Sequence, residues 1–183
     1  MARIPYVNPA EAPEKIAELL SKVPDMNVFR MLAHAGPEFR PFVVFSDALL
    51  RKSAVDKWLL ELAILRVGHL SNAPYEVQQH EGMAKAVGGP PEKIAAIRDW
   101  QDGGTNSDRF NELETLVLRY TDDVVTNVRA SDATFDALSA HMNHQMMVEL
   151  TMGIGMYMMV SRILNTFEVD LESEDGPSIT LDR

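Results

Sequence analysis

Apolar positions recur along this chain at spacings of three and four, almost without interruption, and no stretch alternates as a half-buried strand would. Glu14–Lys22 carries Ile16, Leu19 and Leu20 at helical offsets, with Pro13 suited to a first turn. Asp25 is placed to cap a short helix holding Val28, Phe29, Met31 and Leu32, which Gly36-Pro37 ends. Phe39–Lys52 gathers Phe42, Phe45, Leu49 and Leu50 on one side. Ser53 is a cap candidate for the next helix, which runs to about Leu70. Its apolar face is too broad for a surface helix, so it belongs at the centre of the fold. Ser71-Asn72 breaks it. Pro74 opens another helix that closes at Gly88-Gly89, and Pro91–Trp100 reads as a short amphipathic one. Gln101–Asp108, rich in Gly, Asn and Ser, reads as a hinge between two halves. Helices over Phe110–Val125, from Ser131, and from Asn143 to about Phe167 complete the pattern. The expectation is an all-α single domain over residues 1–183, with an acidic, frayed tail from about 168.

Composition narrows the function. With 46% hydrophobic and 24% charged residues in 183, the chain is ordinary globular protein. The net charge is −10, and Glu168–Arg183 contributes −5 of it, from six acids against one Arg. The other 167 residues therefore carry only −5, which disfavours nucleic acid as a partner but not a small anion. There is no cysteine, which excludes disulfides, thiolate metal sites and thiol nucleophiles. The most apolar stretch, Met146 to Leu164, contains Glu149 and Arg162 and leaves only the 12 residues Leu150–Ser161 uncharged. A membrane span needs about 20. A core or interface helix, no membrane and a cytoplasmic location are expected.

The chemistry concentrates in Glu61–His80, ELAILRVGHLSNAPYEVQQH. Glu61 and Arg66 sit within the most apolar helix, where charges rarely go without a partner or a task. Ala73, Glu76 and His80 share a face of the following helix, with Gln79 beside them. A carboxylate, a guanidinium and an imidazole could meet where the two helices join. The plainer alternative is a structural Glu61–Arg66 ion pair and a hydrogen-bonded core histidine. His141 and His144, spaced i, i+3, suit a surface or capping role better than a metal site, and no metal or cofactor is expected. The methionines of the last helix read as core or subunit-interface packing.

The residues also carry a resemblance. Asn27-Val28-Phe29-Arg30 through Leu32-Ala33-His34, then Glu61-Leu62-Ala63-Ile64-Leu65-Arg66-Val67, Tyr75-Glu76 and His80, Val148-Glu149-Leu150, and Arg162-Ile163-Leu164-Asn165 occur in order. Together they resemble the carboxymuconolactone decarboxylase family over roughly residues 3–170. The resemblance implies the alkylhydroperoxidase D-like helical bundle, assembled as a homotrimer or homohexamer. Peroxidase members of that superfamily use Cys-x-x-Cys, whose positions here are Ala73 and Glu76. Dithiol peroxide reduction is therefore out of reach. The cysteine-free branch implies a cofactor-free carboxy-lyase of aromatic-acid catabolism, acting on a small anionic organic substrate. In that reading His80 donates the proton and Glu61 orients it. Glu76 is a second acid/base group or a pocket wall, Arg66 holds the anion, and Tyr75 is an oxyanion donor. Another small-molecule hydrolase or isomerase, or a non-catalytic oligomer, fits the same pattern.

Overall fold

The chain is described from a computed structural model, covering residues 1–101, 109–173, 176, 177 and 179. Among these, nine α-helices and a 3₁₀ turn are present and no strand. They are α1 Glu14–Leu20, α2 Asn27–Leu32, α3 Phe39–Lys52, α4 Lys57–Leu70, α5 Pro74–Ala86, α6 Pro91–Ala96, α7 Glu112–Asn127, α8 Asp132–Ser139 and α9 His144–Phe167. The 3₁₀ turn, Ala33–Glu38, bridges α2 to α3 and bends at Gly36, whose φ of 62° is left-handed.

Most boundaries fall where local chemistry puts them. Pro74 occupies the first turn of α5, where its missing N–H costs nothing. Asn111 and Glu114 close a reciprocal capping box on α7, and Ser131 and Asn143 cap α8 and α9. Two expected caps are corrected. Asp56, not Ser53, caps α4, accepting from Trp58 N and Leu59 N, while the Ser53 hydroxyl takes the Val55 N–H inside the connecting turn. No Asp25 side chain caps α2, whose N-cap is Met26. The hinge expected at Gln101–Asp108 lies, beyond Gln101, outside the described residues.

Helix α4 is the hub. Ten consecutive residues, Leu59 to Gly68, are buried, because α5, α7 and α9 pack around it. Gly153 lets α9 approach closely: a Cβ there would lie 3.0 Å from Leu60 Cδ1. By length and composition α9 could cross a bilayer, but half of its apolar window is buried inside the protein. It serves here as a core helix. Burying apolar faces on this scale supplies the main driving force for the fold.

The tail is also corrected: it is anchored as far as Glu172 rather than frayed from Glu168. Tyr6 OH donates to the Asp170 carboxylate at 2.9 Å, and Asn27 Nδ2 donates to the Asp170 carbonyl at 3.1 Å. Gln78 bonds both the N–H and the carbonyl of Glu172. The N-terminal segment and the stretch 170–172 are thereby tied together over α2 and α5.

Candidate functional site

Glu61 enters the interior because α4 is covered on every face from Leu59 to Gly68. His80 and Glu76 come to it from α5, one helical turn apart on the face turned towards α4. His80 Nδ1–H donates to Glu61 Oε2 at 2.7 Å, and Glu76 Oε2 lies 3.5 Å from His80 Nε2. The imidazole is thus held between two carboxyl groups, one at each ring nitrogen. All three side chains are buried, at 1% (Glu61), 5% (Glu76) and 2% (His80) exposure. Glu61 Oε1 has no hydrogen-bond partner among the described residues, an exception to the rule that buried polar atoms are paired.

Burial alone would pull the imidazolium down. The charge and hydrogen bond of Glu61, with the charge of Glu76, outweigh it and hold His80 above the ordinary histidine value. Burial dominates at Glu76 and raises its carboxyl to about 7, with Glu61 adding repulsion and His80 opposing. The site therefore places an imidazolium beside a carboxyl group poised near neutrality, a pairing suited to proton transfer.

Glu76 and His80 form the polar end of a small cavity. Its walls are chiefly apolar: Met26, Phe29, Leu32, Phe42, Leu50 and Met156. Its volume is about 40 Å³, room for one or two waters. No Lys or Arg lines it among the described residues.

Of the five residues singled out from the sequence, the structure brings Glu61, Glu76 and His80 together. Tyr75 also lines the cavity, but its hydroxyl is engaged: it donates to the Glu172 carboxylate and accepts from Val28 N at 3.3 Å. Arg66 is absent from the cavity wall. Its guanidinium grips Asp122 of α7, Nε to Oδ1 at 2.5 Å and Nη2 to Oδ2 at 3.2 Å. It also donates to the carbonyls of Ile97 and Arg98. Neither the meeting of arginine with imidazole nor the Glu61–Arg66 pair is present; each charge has another partner. Sequence reasoning passed over Tyr157 of α9, whose ring stands edge-on to His80, centroids 4.6 Å apart at 85°. Its only signal was a tyrosine in a methionine-rich helix. His141 and His144 belong to no group of three or more metal-binding side chains among the described residues.

The shifts at Glu76 and His80 carry a stability consequence. Each group binds its proton more tightly folded than unfolded. Their contribution is therefore complete below the unfolded values, 4.5 for Glu76 and 6.5 for His80, and is lost as pH rises through the folded ones. The melting temperature is expected to fall between about pH 5 and 8. In Glu76→Gln that slope is expected to flatten, by an amount on the order of a few kcal/mol across the window. Thermal melts across this range check it; parallel wild-type and variant curves would contradict it.

Residues 38–113 match the carboxymuconolactone decarboxylase family. No curated protein matches the chain. Several solved structures share its fold. An alkylhydroperoxidase AhpD core protein from Ralstonia eutropha, peroxidase-related, is 21% identical with a TM-score of 0.78, covering 94% of this chain and 93% of that one. A peroxidase-related protein from Silicibacter is 15% identical, TM-score 0.76, covering 94% and 91%. A debrominase variant in complex with 2,3,4-tribromopyrrole is 16% identical, TM-score 0.70, covering 94% and 95%. Residues 38–113, the stretch that matches the carboxymuconolactone decarboxylase family, hold Glu61, Glu76 and His80, and the chain adopts the all-helical alkylhydroperoxidase D-like fold.

Proposed function

We propose that this protein is a cofactor-independent carboxy-lyase whose proton donor is the His80–Glu76 edge of the buried Glu61–His80–Glu76 line. The observation that carries the proposal is that line itself, set at the end of an apolar cavity. In decarboxylation the bond from ring carbon to carboxylate breaks and carbon dioxide leaves. The electron pair passes into the conjugated carbonyl as an enolate-type oxyanion, and a proton is then delivered to carbon. Apolar walls favour the first step, because a localised carboxylate charge is worse solvated there than the dispersed charge that replaces it. An imidazolium held by Glu61, beside a carboxyl near 7, supports the second.

A cavity of about 40 Å³ is far below the roughly 300 Å³ of a typical ligand pocket, so a lactone acid must part its walls to enter. The exposed apolar positions Phe135, Val148 and Met152, around a groove of about 820 Å³ on α8 and α9, support the further reading that the protein self-associates. A cytoplasmic location is part of the same proposal.

The test is direct. Purified protein mixed with 4-carboxymuconolactone is expected to release carbon dioxide without added metal or cofactor. The lack of any Lys or Arg on the cavity wall among the described residues favours one second reading, proton-transfer isomerisation of a neutral carbonyl compound. Turnover of such a compound, with the lactone acid left untouched, would replace the first reading by the second.

A further inference from the structure

We propose that Tyr157 is a further catalytic residue of this site, the hydrogen-bond donor to the oxyanion that forms when carbon dioxide leaves. The inference rests on the proton-transfer reading above. Tyr157 comes from α9, an element that contributes no other acid or base to the site. It lines the same cavity as His80 and Glu76, is 5% exposed, and sets its ring edge-on against the His80 imidazole at 4.6 Å. Its hydroxyl makes no hydrogen bond among the described residues. A hydroxyl that no protein group claims, on a residue that lines the cavity and packs its ring against the acid, is equipped for a group that arrives later. The contrast with Tyr75 is sharp. That hydroxyl lies on the same cavity, but Glu172 and Val28 N occupy both its donor and acceptor roles.

Burial, with the charges of Glu76 and Glu61, keeps the Tyr157 phenol well above the ordinary tyrosine value, so it remains a donor over the working range. The step is balanced without it changing protonation. The proton comes from the His80–Glu76 edge and ends on carbon. The Tyr157 O–H bond stays intact, and its hydrogen bond strengthens as negative charge develops on the substrate oxygen.

Tyr157→Phe removes the hydroxyl and keeps the ring. Because that hydroxyl has no partner to lose, the variant is expected to melt at the wild-type temperature or above it. With 4-carboxymuconolactone, kcat is expected to fall about 10²–10³-fold with KM little changed, the usual loss for one oxyanion donor. A second measurement does not depend on turnover. 4-Nitrophenol titrated in the presence of wild-type protein is expected to bind with its apparent pKa lowered, because the bound phenolate receives the Tyr157 hydrogen bond. In Tyr157→Phe that lowering is expected to shrink about tenfold in the underlying equilibrium. Equal pKa values in the two proteins, with binding intact, would overturn the role of Tyr157 and leave the proton-transfer reading standing. No binding to either protein, with no turnover, would overturn that reading and this inference together. A variant that loses activity and melts several degrees lower would mark Tyr157 as structural and also overturn the inference.

Discussion

Replacing His80 with alanine is expected to lower turnover by about 10²–10⁴-fold, the range for loss of one positioned acid/base group. The loss falls on kcat, because the proton donated by His80 is needed only after carbon dioxide has gone. The same change removes the one hydrogen bond that the Glu61 carboxyl makes among the described residues and leaves that group buried with neither oxygen paired among them. Breaking a buried pair in this way costs about 3–5 kcal/mol, so folding and catalysis must be separated. His80→Gln does this: its amide N–H can reach Glu61, but it cannot hold a transferable proton near neutral pH. The expected result is a His80→Gln protein that melts closer to wild type than His80→Ala yet is as inactive. Retained turnover in His80→Gln would remove His80 from the mechanism. Turnover lost in Glu76→Gln as well would tie the donor to the His80–Glu76 edge rather than to the imidazole alone.

Asp122→Ala is expected to give the largest stability loss of any single change outside the site, on the order of 3–5 kcal/mol. Asp122 receives two hydrogen bonds from Arg66, one from Trp100 Nε1 at 3.1 Å and one from Gln101 Nε2 at 2.6 Å. Its loss strands the Arg66 guanidinium, whose side chain is only 11% exposed, between α4 and α7. For a chain of this length about 1 kcal/mol moves the melting temperature by roughly 2–4 °C, so a drop on the order of 10 °C is expected. The pair lies outside the cavity wall, so turnover per folded molecule at low temperature is expected to stay near the wild-type level. A double variant, Arg66→Met with Asp122→Leu, replaces both charges by apolar side chains and is expected to recover much of the loss. If Asp122→Ala melts like wild type but loses activity, Arg66 and Asp122 belong to the catalytic apparatus after all.

These two predictions separate charges that look alike in the sequence. Glu61 and Arg66 lie five positions apart in one apolar helix, and each violates the rule that such helices exclude charge. Glu61 was legible as part of a site because its partners are near in sequence: Glu76 and His80 come one turn apart on the very next helix. The partner of Arg66 is 56 residues away on α7, among ordinary surface-helix residues, and no local spacing announces it. Tyr157 escaped for the same reason. Along α9 it is one more large residue in a run of methionines, and only the packing of α9 against α4 and α5 turns its ring towards His80.

Helix type and most helix ends were decided by the sequence alone, since apolar spacing, Pro74 at a first turn and the caps Ser131 and Asn143 act within a few residues. So was the absence of thiol chemistry, and so was the shared face of Glu76 and His80 on α5. Ser53 and Asp56 show where local reasoning reaches its limit. Both are good caps, and the choice depends on where the chain leaves α3 to meet the core. The acidic tail shows it again. Its composition reads as solvated, yet Asp170 and Glu172 are anchored by Tyr6, Asn27, Tyr75 and Gln78 from elements far away in the chain. Tertiary structure alone decided which charge pairs with which, which tyrosine hydroxyl has no partner among the described residues, and how small the cavity is. Those outcomes depend on the register of one helix against another, and a shift of a single turn, about 5.4 Å, would exchange every such partner while leaving the periodicity of the sequence unchanged.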